Sequence, residues 1–184
     1  MQGQRGLTLV EALIGIAVLV TLLTIGIPSL TQFIKNNRLA GQANDLVVAF
    51  QQARNEAVKR GSGAVICASD DQVTCSGSTN WSTGWIVFSD LDQAGDLDAG
   101  TGACLNTEDC IIRTRQQLEG NNTLTADAGL ARYQPNGLLQ EASIPGGSDR
   151  LTFTLISDAC NINQVRIMTI TRHGHTNLNK TECP

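Results

Sequence analysis

The sequence predicts an α+β fold: one long N-terminal helix, about residues 7–60, packed on a C-terminal antiparallel β-sheet domain with disulfides. Three observations predict it. Ala12 to Ile34 is an uncharged run built mostly of Leu, Ile, Val and Ala. Beyond it, apolar residues keep a helical spacing as far as Lys59-Arg60-Gly61. After Gly61 the pattern changes to short β-rich runs, and all six cysteines fall there.

The first element is the apolar run. Its length suits a helix that crosses a bilayer, which takes about 20 apolar residues. Pro28 is expected to bend that helix, because it has no N–H to donate and its ring clashes with the preceding turn. Glu11 stands at the mouth of the run. A charged side chain at the bilayer centre costs about 2.5–3.5 kcal/mol on insertion scales, so Glu11 needs a positive partner. Cleavage after Gly6 would supply one: it frees an α-amino group on Leu7 and leaves Glu11 as the fifth residue. A secretory signal would place a small-residue cleavage site after a shorter apolar stretch. Here the charged leader ends at Gly6.

The helix is expected to continue past the apolar run. Leu39, Ala43, Leu46, Phe50, Ala53 and Ala57 recur at alternating steps of four and three, one stripe of an amphipathic helix. Lys59 and Arg60 complement the negative end of the helix dipole, and Gly61 suits the residue just past the helix. At 1.5 Å per residue the helix would be about 80 Å long.

Strands are predicted next at Ala64–Cys67, Trp85–Phe88, Cys110–Thr114 and Leu130–Tyr133, the last leading into the turn Pro135-Asn136-Gly137. Leu151, Phe153 and Leu155 alternate with threonines, and Val165 and Ile167 alternate with Arg166 and Met168, which marks two more. Trp81 and Trp85 read as core or sheet-edge residues.

Charged residues are 16% of the chain and aromatics 4%, so the core rests on aliphatic side chains and on staples. The cysteines are Cys67, Cys75, Cys104, Cys110, Cys160 and Cys183. An even number, all outside the apolar run, reads as disulfides of an exported domain. Zinc is disfavoured by the lack of any CxxC pair and by only two histidines. Fifteen pairings are possible. Neighbour pairs are expected, Cys67 with Cys75, Cys104 with Cys110 and Cys160 with Cys183, because short loops close at lower entropic cost.

The net charge of −4 is unevenly spread. Residues 61–149 hold three basic and twelve acidic residues, whereas residues 150–184 hold four and two. Only the C-terminal end tolerates a polyanion. Asp90, Asp92, Asp96 and Asp98 share a loop with Gly95, but they do not match the EF-hand pattern, so the loop reads as solvated and no metal is expected. His173-Gly174-His175 reads as a hairpin turn. No Ser/His/Asp or Cys/His set has catalytic spacing, and no phosphate-cradling glycine loop occurs; neither an enzyme nor a cofactor is expected.

Gln4-Arg5-Gly6 followed by Leu7-Thr8-Leu9-Val10-Glu11 resembles the class III signal of type IV prepilins and type II secretion pseudopilins. The family commonly has phenylalanine where this chain has Leu7. The resemblance implies a type IV pilin-like fold, cleavage after Gly6 by a prepilin peptidase, methylation of the new N-terminus at Leu7, and assembly roles for Glu11 and Pro28. Residues 52–60, 65–70 and 81–90 further resemble the FimT/GspH subfamily of minor pilins and pseudopilins. The organisation it implies is a leader (1–6), a transmembrane and assembly helix (7–34) and a periplasmic globular domain (35–184). It implies a single-pass protein of the bacterial inner membrane, incorporated in or at the tip of a pilus. The implied partners are other minor and major pilins, the prepilin peptidase and inner-membrane lipid.

The resemblance implies a structural role in priming type IV pilus assembly, with two alternatives: a DNA-binding minor pilin for natural transformation, or a type II secretion pseudopilin of GspH type. DNA-binding members carry Gly-Arg-x-Arg near the C-terminus. The matching stretch is Gly174-His175-Thr176-Asn177, without the arginines, so any DNA contact is expected to rest on Arg166, Arg172 and Lys180.

Overall fold

A computed structural model of the chain describes residues 8–92, 94–97, 109–146, 148–158, 160 and 164–183. Gly6, Leu7, Asp98 and Cys104 lie outside the described residues. Among the described residues, one α-helix, α1 (Leu9–Arg60), is followed by eight strands: β1 (Gly63–Ala68), β2 (Trp85–Asp90), β3 (Cys110–Arg115), β4 (Thr123–Ala126), β5 (Leu130–Tyr133), β6 (Arg150–Ile156), β7 (Val165–Thr171) and β8 (Thr176–Thr181). The chain divides into two compact units, Met1–Asn37 and Arg38–Pro184.

In the first unit the described chain is helix. Thr8 caps it: its Oγ1 accepts the N–H of Glu11 at 3.2 Å, satisfying one of the orphan donors of the first turn. The helix assignment continues through Pro28, which cannot donate to the carbonyl of Thr24. Thr21, Thr24 and Thr31 turn their hydroxyls back onto carbonyls three or four residues earlier, such as Thr31 Oγ1 to Pro28 O at 2.9 Å. These three hydroxyls are thereby bonded within the helix, as a lipid environment favours. This stretch is long and apolar enough to cross a membrane.

The second unit holds the rest of α1 and two four-stranded antiparallel sheets, ordered β3-β2-β1-β5 and β4-β6-β7-β8. The helix ends at Arg60, and Gly61 takes φ +66°, the left-handed position beyond a helix terminus. Every residue of the predicted stripe is buried, together with Gln42 and Ala49. Phe50 is the hub. Its ring lies 5.2 Å from Phe153, 6.3 Å from Trp81 and 6.4 Å from Tyr133, and Trp81 lies 4.9 Å from Phe153. Both tryptophans are fully buried, and Trp81 donates through Nε1 to Ala128 O at 2.9 Å. The polar member of the stripe is satisfied in place: Gln42 donates to Glu119 O at 2.9 Å and accepts from Asn122 Nδ2 at 2.6 Å.

The strand pattern predicts one sheet; the chain makes two, with β4 and β8 unforeseen. β4 is only Thr-Leu-Thr-Ala, and β8, Thr-Asn-Leu-Asn-Lys-Thr, holds a single apolar residue. Both are edge strands. An edge strand with a wet face carries little of the alternation from which strands are read. β6 alternates buried and half-buried as expected, whereas β1 and β2 are buried at every position. Their inner face joins the helix core, and Val65, Cys67, Ile86 and Phe88 on the outer face form a second small cluster against which Cys75 and Leu97 pack.

Disulfides join Cys67 to Cys75 and Cys160 to Cys183. The expected partner of Cys110, Cys104, lies outside the described residues; Cys110 itself is disulfide-bonded. Within the loop of the first bridge, Asp71 Oδ1 accepts the N–H groups of Val73 and Thr74, each at 2.8 Å. These bonds favour the ionised form and hold the Asp71 carboxyl well below its usual range.

Candidate functional site

The longest exposed apolar surface among the described residues lies in the first unit. From Leu9 to Ile34 the side chains are exposed on every side of the helix, with Leu9 and Ile25 about three-quarters exposed. The helix is apolar all round rather than on one stripe, so only surroundings on every side can bury it. Glu11 lies in the first turn of this surface. Its carboxylate is exposed and meets no cation among the described residues. Its backbone is fixed by Thr8, so the carboxylate is held at a defined height at the helix start.

The C-terminal cations do not form one patch. Arg166 is buried: its Nη1 donates to Val165 O at 3.1 Å, and burial pushes its pKa down. Its strand position faces Lys180 on the exposed edge strand β8. Arg172 follows the opposite end of β7, about 20 Å away at the rise of a strand, and pairs with Glu141 at 3.4 Å. Phosphate binding needs several cations acting together. The sequence groups Arg166 with the other two by the basic balance of residues 150–184; in the fold it shares the face of β7 that carries Met168 and Ile170 into the core.

Two turns that the sequence presents as unrelated meet at one side chain. Arg54 of α1 donates through Nε to Gly137 O at 2.9 Å, in the Pro135-Asn136-Gly137 turn. Gly174, with φ +77°, lies against the same guanidinium: a Cβ there would sit 2.9 Å from Arg54 Nε. Arg54, Tyr133 and His175 line a shallow groove at this point. Burial pushes the Tyr133 hydroxyl pKa up. His173 and His175 are exposed turn residues.

The acidic loop departs from the solvated reading at its first member. Asp90 is fully buried at the end of β2, and its Oδ2 accepts from Arg132 Nε at 2.6 Å. Burial pushes its pKa up against the pull of Arg132. Asp92 and Asp96 are exposed. Among the described residues, Asp90 and Asp92 group with Asp109, and one oxygen from each lies within 4.8 Å of the others.

Residues 42–174 match the family described as type II transport protein GspH. No curated protein matches the chain in sequence. Among solved structures, the chain is similar to the type IV minor pilin FimU of Pseudomonas aeruginosa, with a TM-score of 0.54 at 20% identity over 80% of this chain and 92% of that one. A second crystal form of FimU has a TM-score of 0.51 at 19% identity, over 76% of this chain and 91% of that one. The minor pseudopilin EpsH of the Vibrio cholerae type 2 secretion system has a TM-score of 0.50 at 10% identity, over 78% of this chain and 97% of that one. At such identities the likeness is one of fold.

Proposed function

Because the chain belongs to the GspH family, we propose that it is a minor pilin that helps to prime type IV pilus assembly. Its work is structural rather than catalytic. The observation that carries the proposal is the first half of α1: an all-round apolar surface with one unpaired carboxylate at its start. In this reading a prepilin peptidase cuts after Gly6, Leu7 becomes the N-terminus, and the helix waits in the inner membrane with the domain of residues 35–184 in the periplasm. On leaving the lipid, the apolar surface packs on the same segment of other minor and major pilins, where it is buried again. Glu11 pairs with a neighbour's amino terminus and sets the axial register.

Mass measurement and pilus fractionation test this reading. Gly6→Val should leave residues 1–6 attached. Glu11→Val should be processed normally and fail to enter the pilus. A mature wild-type protein that keeps residues 1–6 beside an active prepilin peptidase would falsify the proposal.

A type II secretion pseudopilin is the second reading, supported by the description of the matching family. The proteins that co-purify with the cross-linked chain separate the two: pilus subunits favour the first, secretion components the second. DNA recognition gains little from three cations that are buried or far apart.

A further inference from the structure

We propose that the base of the β2–β3 connection is a divalent-cation site of calcium type, built from the carboxylates of Asp90, Asp92 and Asp109. The hairpin register brings the first and last together. Ser89 pairs with Cys110, so Asp90 and Asp109 flank the end of the ladder on opposite strands. Cys110 N–H donates to Ser89 Oγ at 3.0 Å and fixes that end. Asp92 is brought back by the turn that follows β2. One oxygen from each of the three carboxylates falls within 4.8 Å of the others. Two of the carboxylates are positioned by the backbone: Leu91 N–H donates to Asp109 Oδ1 at 2.8 Å and Ala94 N–H to Asp92 Oδ1 at 2.9 Å.

A carboxylate cluster alone is common on protein surfaces. The observation that distinguishes this one is Asp90. Its side chain is fully buried, and its two oxygens differ. Oδ2 faces β1 and β5: it takes the Arg132 guanidinium, and a Cβ on Gly63 of β1 would lie 3.3 Å from it. Oδ1 has no hydrogen-bond partner. A buried carboxylate oxygen that is left without a donor is costly, and such groups ordinarily find a partner.

Charge and ligand type select the ion. The carboxylates crowd beside the guanidinium of Arg132, an arrangement that favours a cation over an anion. The donors are all hard oxygens, without sulfur or imidazole, which suits calcium or magnesium rather than zinc. Two of the three sit on loop backbone rather than on a rigid frame. Calcium accepts six to eight oxygens in loose geometry, whereas magnesium demands a near-ideal octahedron. Water and backbone carbonyls would complete the shell. A bound ion would clamp the start of the β2–β3 connection to the sheet, close to Leu97 on the outer apolar cluster. This inference does not depend on which machine the chain serves.

The test uses the full chain in detergent, stripped with a chelator and titrated calorimetrically with calcium chloride and, separately, magnesium chloride. One calcium per chain is expected, with a dissociation constant of about 0.1–1 mM, as in extracellular calcium modules, and magnesium binding weaker by about tenfold. Asp92→Asn, an exposed change that leaves the fold intact, should weaken calcium by about tenfold, because ligand charge sets affinity. Asp96→Asn, in the same loop but outside the cluster, should leave it unchanged. Absence of binding heat, and of any rise in melting temperature, at about 10 mM calcium overturns the proposal. So does equal weakening by Asp92→Asn and Asp96→Asn, which would mean diffuse screening of an acidic loop. Equal affinity for the two cations overturns the calcium assignment.

Discussion

The first half of α1 is richer in Leu, Ile and Val than the second, yet only the second is buried. The difference lies in arrangement rather than in amount. In the second half, small and large apolar residues hold one stripe, and Ala43, Ala49, Ala53 and Ala57 let the strands approach while Leu46 and Phe50 fill the space between. In the first half the apolar residues go all the way round. A stripe can be closed by sheets on one side, whereas an all-round surface must be enclosed on every side, as lipid or packed helices do. One helix is thus half a core element and half an assembly element.

The sharpest way to break this comparison is to cut between the halves. A fragment of residues 38–184 should be soluble, monomeric and cooperatively folded without detergent, while the full chain needs detergent or lipid. Size-exclusion chromatography and a circular-dichroism melt decide it, and an unfolded fragment would mean that the first half supports the domain.

Single substitutions sharpen it next. Phe50→Ala, at the aromatic hub, should cost about 3–5 kcal/mol in urea unfolding. Leu22→Ala in the first half should leave that unfolding unchanged and reduce only pilus incorporation. Equal losses would erase the distinction between the halves.

The staple of the domain's last segment follows. Cys160→Ser with Cys183→Ser opens a bridge between residues 23 apart. Chain entropy puts the loss at about 3 kcal/mol, visible as a lower denaturant midpoint in the fragment. A midpoint that does not move would show that sheet pairing of β8 holds the tail unaided.

The polar exception in the buried stripe ranks lower. Asn122→Ala strands the Oε1 of Gln42 in the core and should cost about 1–3 kcal/mol. The double variant with Gln42→Leu should recover part of that loss, since replacing both partners removes the orphan.

The smallest effect expected is one of pH. The Asp71 carboxyl is held below its ordinary value of 3.8 by the Thr74 and Val73 N–H groups. A depressed folded-state pKa gives stability that is fully present above the unfolded value and lost as pH falls through the folded one. Asp71→Asn should therefore lower the melting temperature slightly at pH 7, with the gap to wild type closing as acid protonates the carboxylate. Asp71 is exposed, so solvent screening keeps the gap small.

How legible was this molecule? The helix, its stop at Gly61, its stripe and six of the eight strands follow from periodicity and turn residues, and the burial of Trp81 and Trp85 was expected. The missing strands, β4 and β8, are short or polar edges, for which pairing with a neighbour supplies what the local pattern lacks. The burial of Arg166 is not legible from the charge balance of residues 150–184, because a count of cations does not say which of them the fold covers. Asp90 reads as solvated because its loop lacks the EF-hand pattern; only the strand end, Gly63 opposite and Arg132 beside it make it a buried ion pair.

The sequence by itself determined the local elements and the division of α1 into an all-round apolar half and a one-faced half, because both are set by the order of apolar and polar residues along a 3.6-residue period. The tertiary structure alone decided what converges: Arg54 under the turns at Gly137 and Gly174, Gln42 on Asn122, and Asp90, Asp92 and Asp109 around one point. These meetings join residues from as few as two to as many as 120 positions apart in the chain. Most depend on strand pairing and on burial by distant segments, and no local pattern encodes which distant segment will arrive.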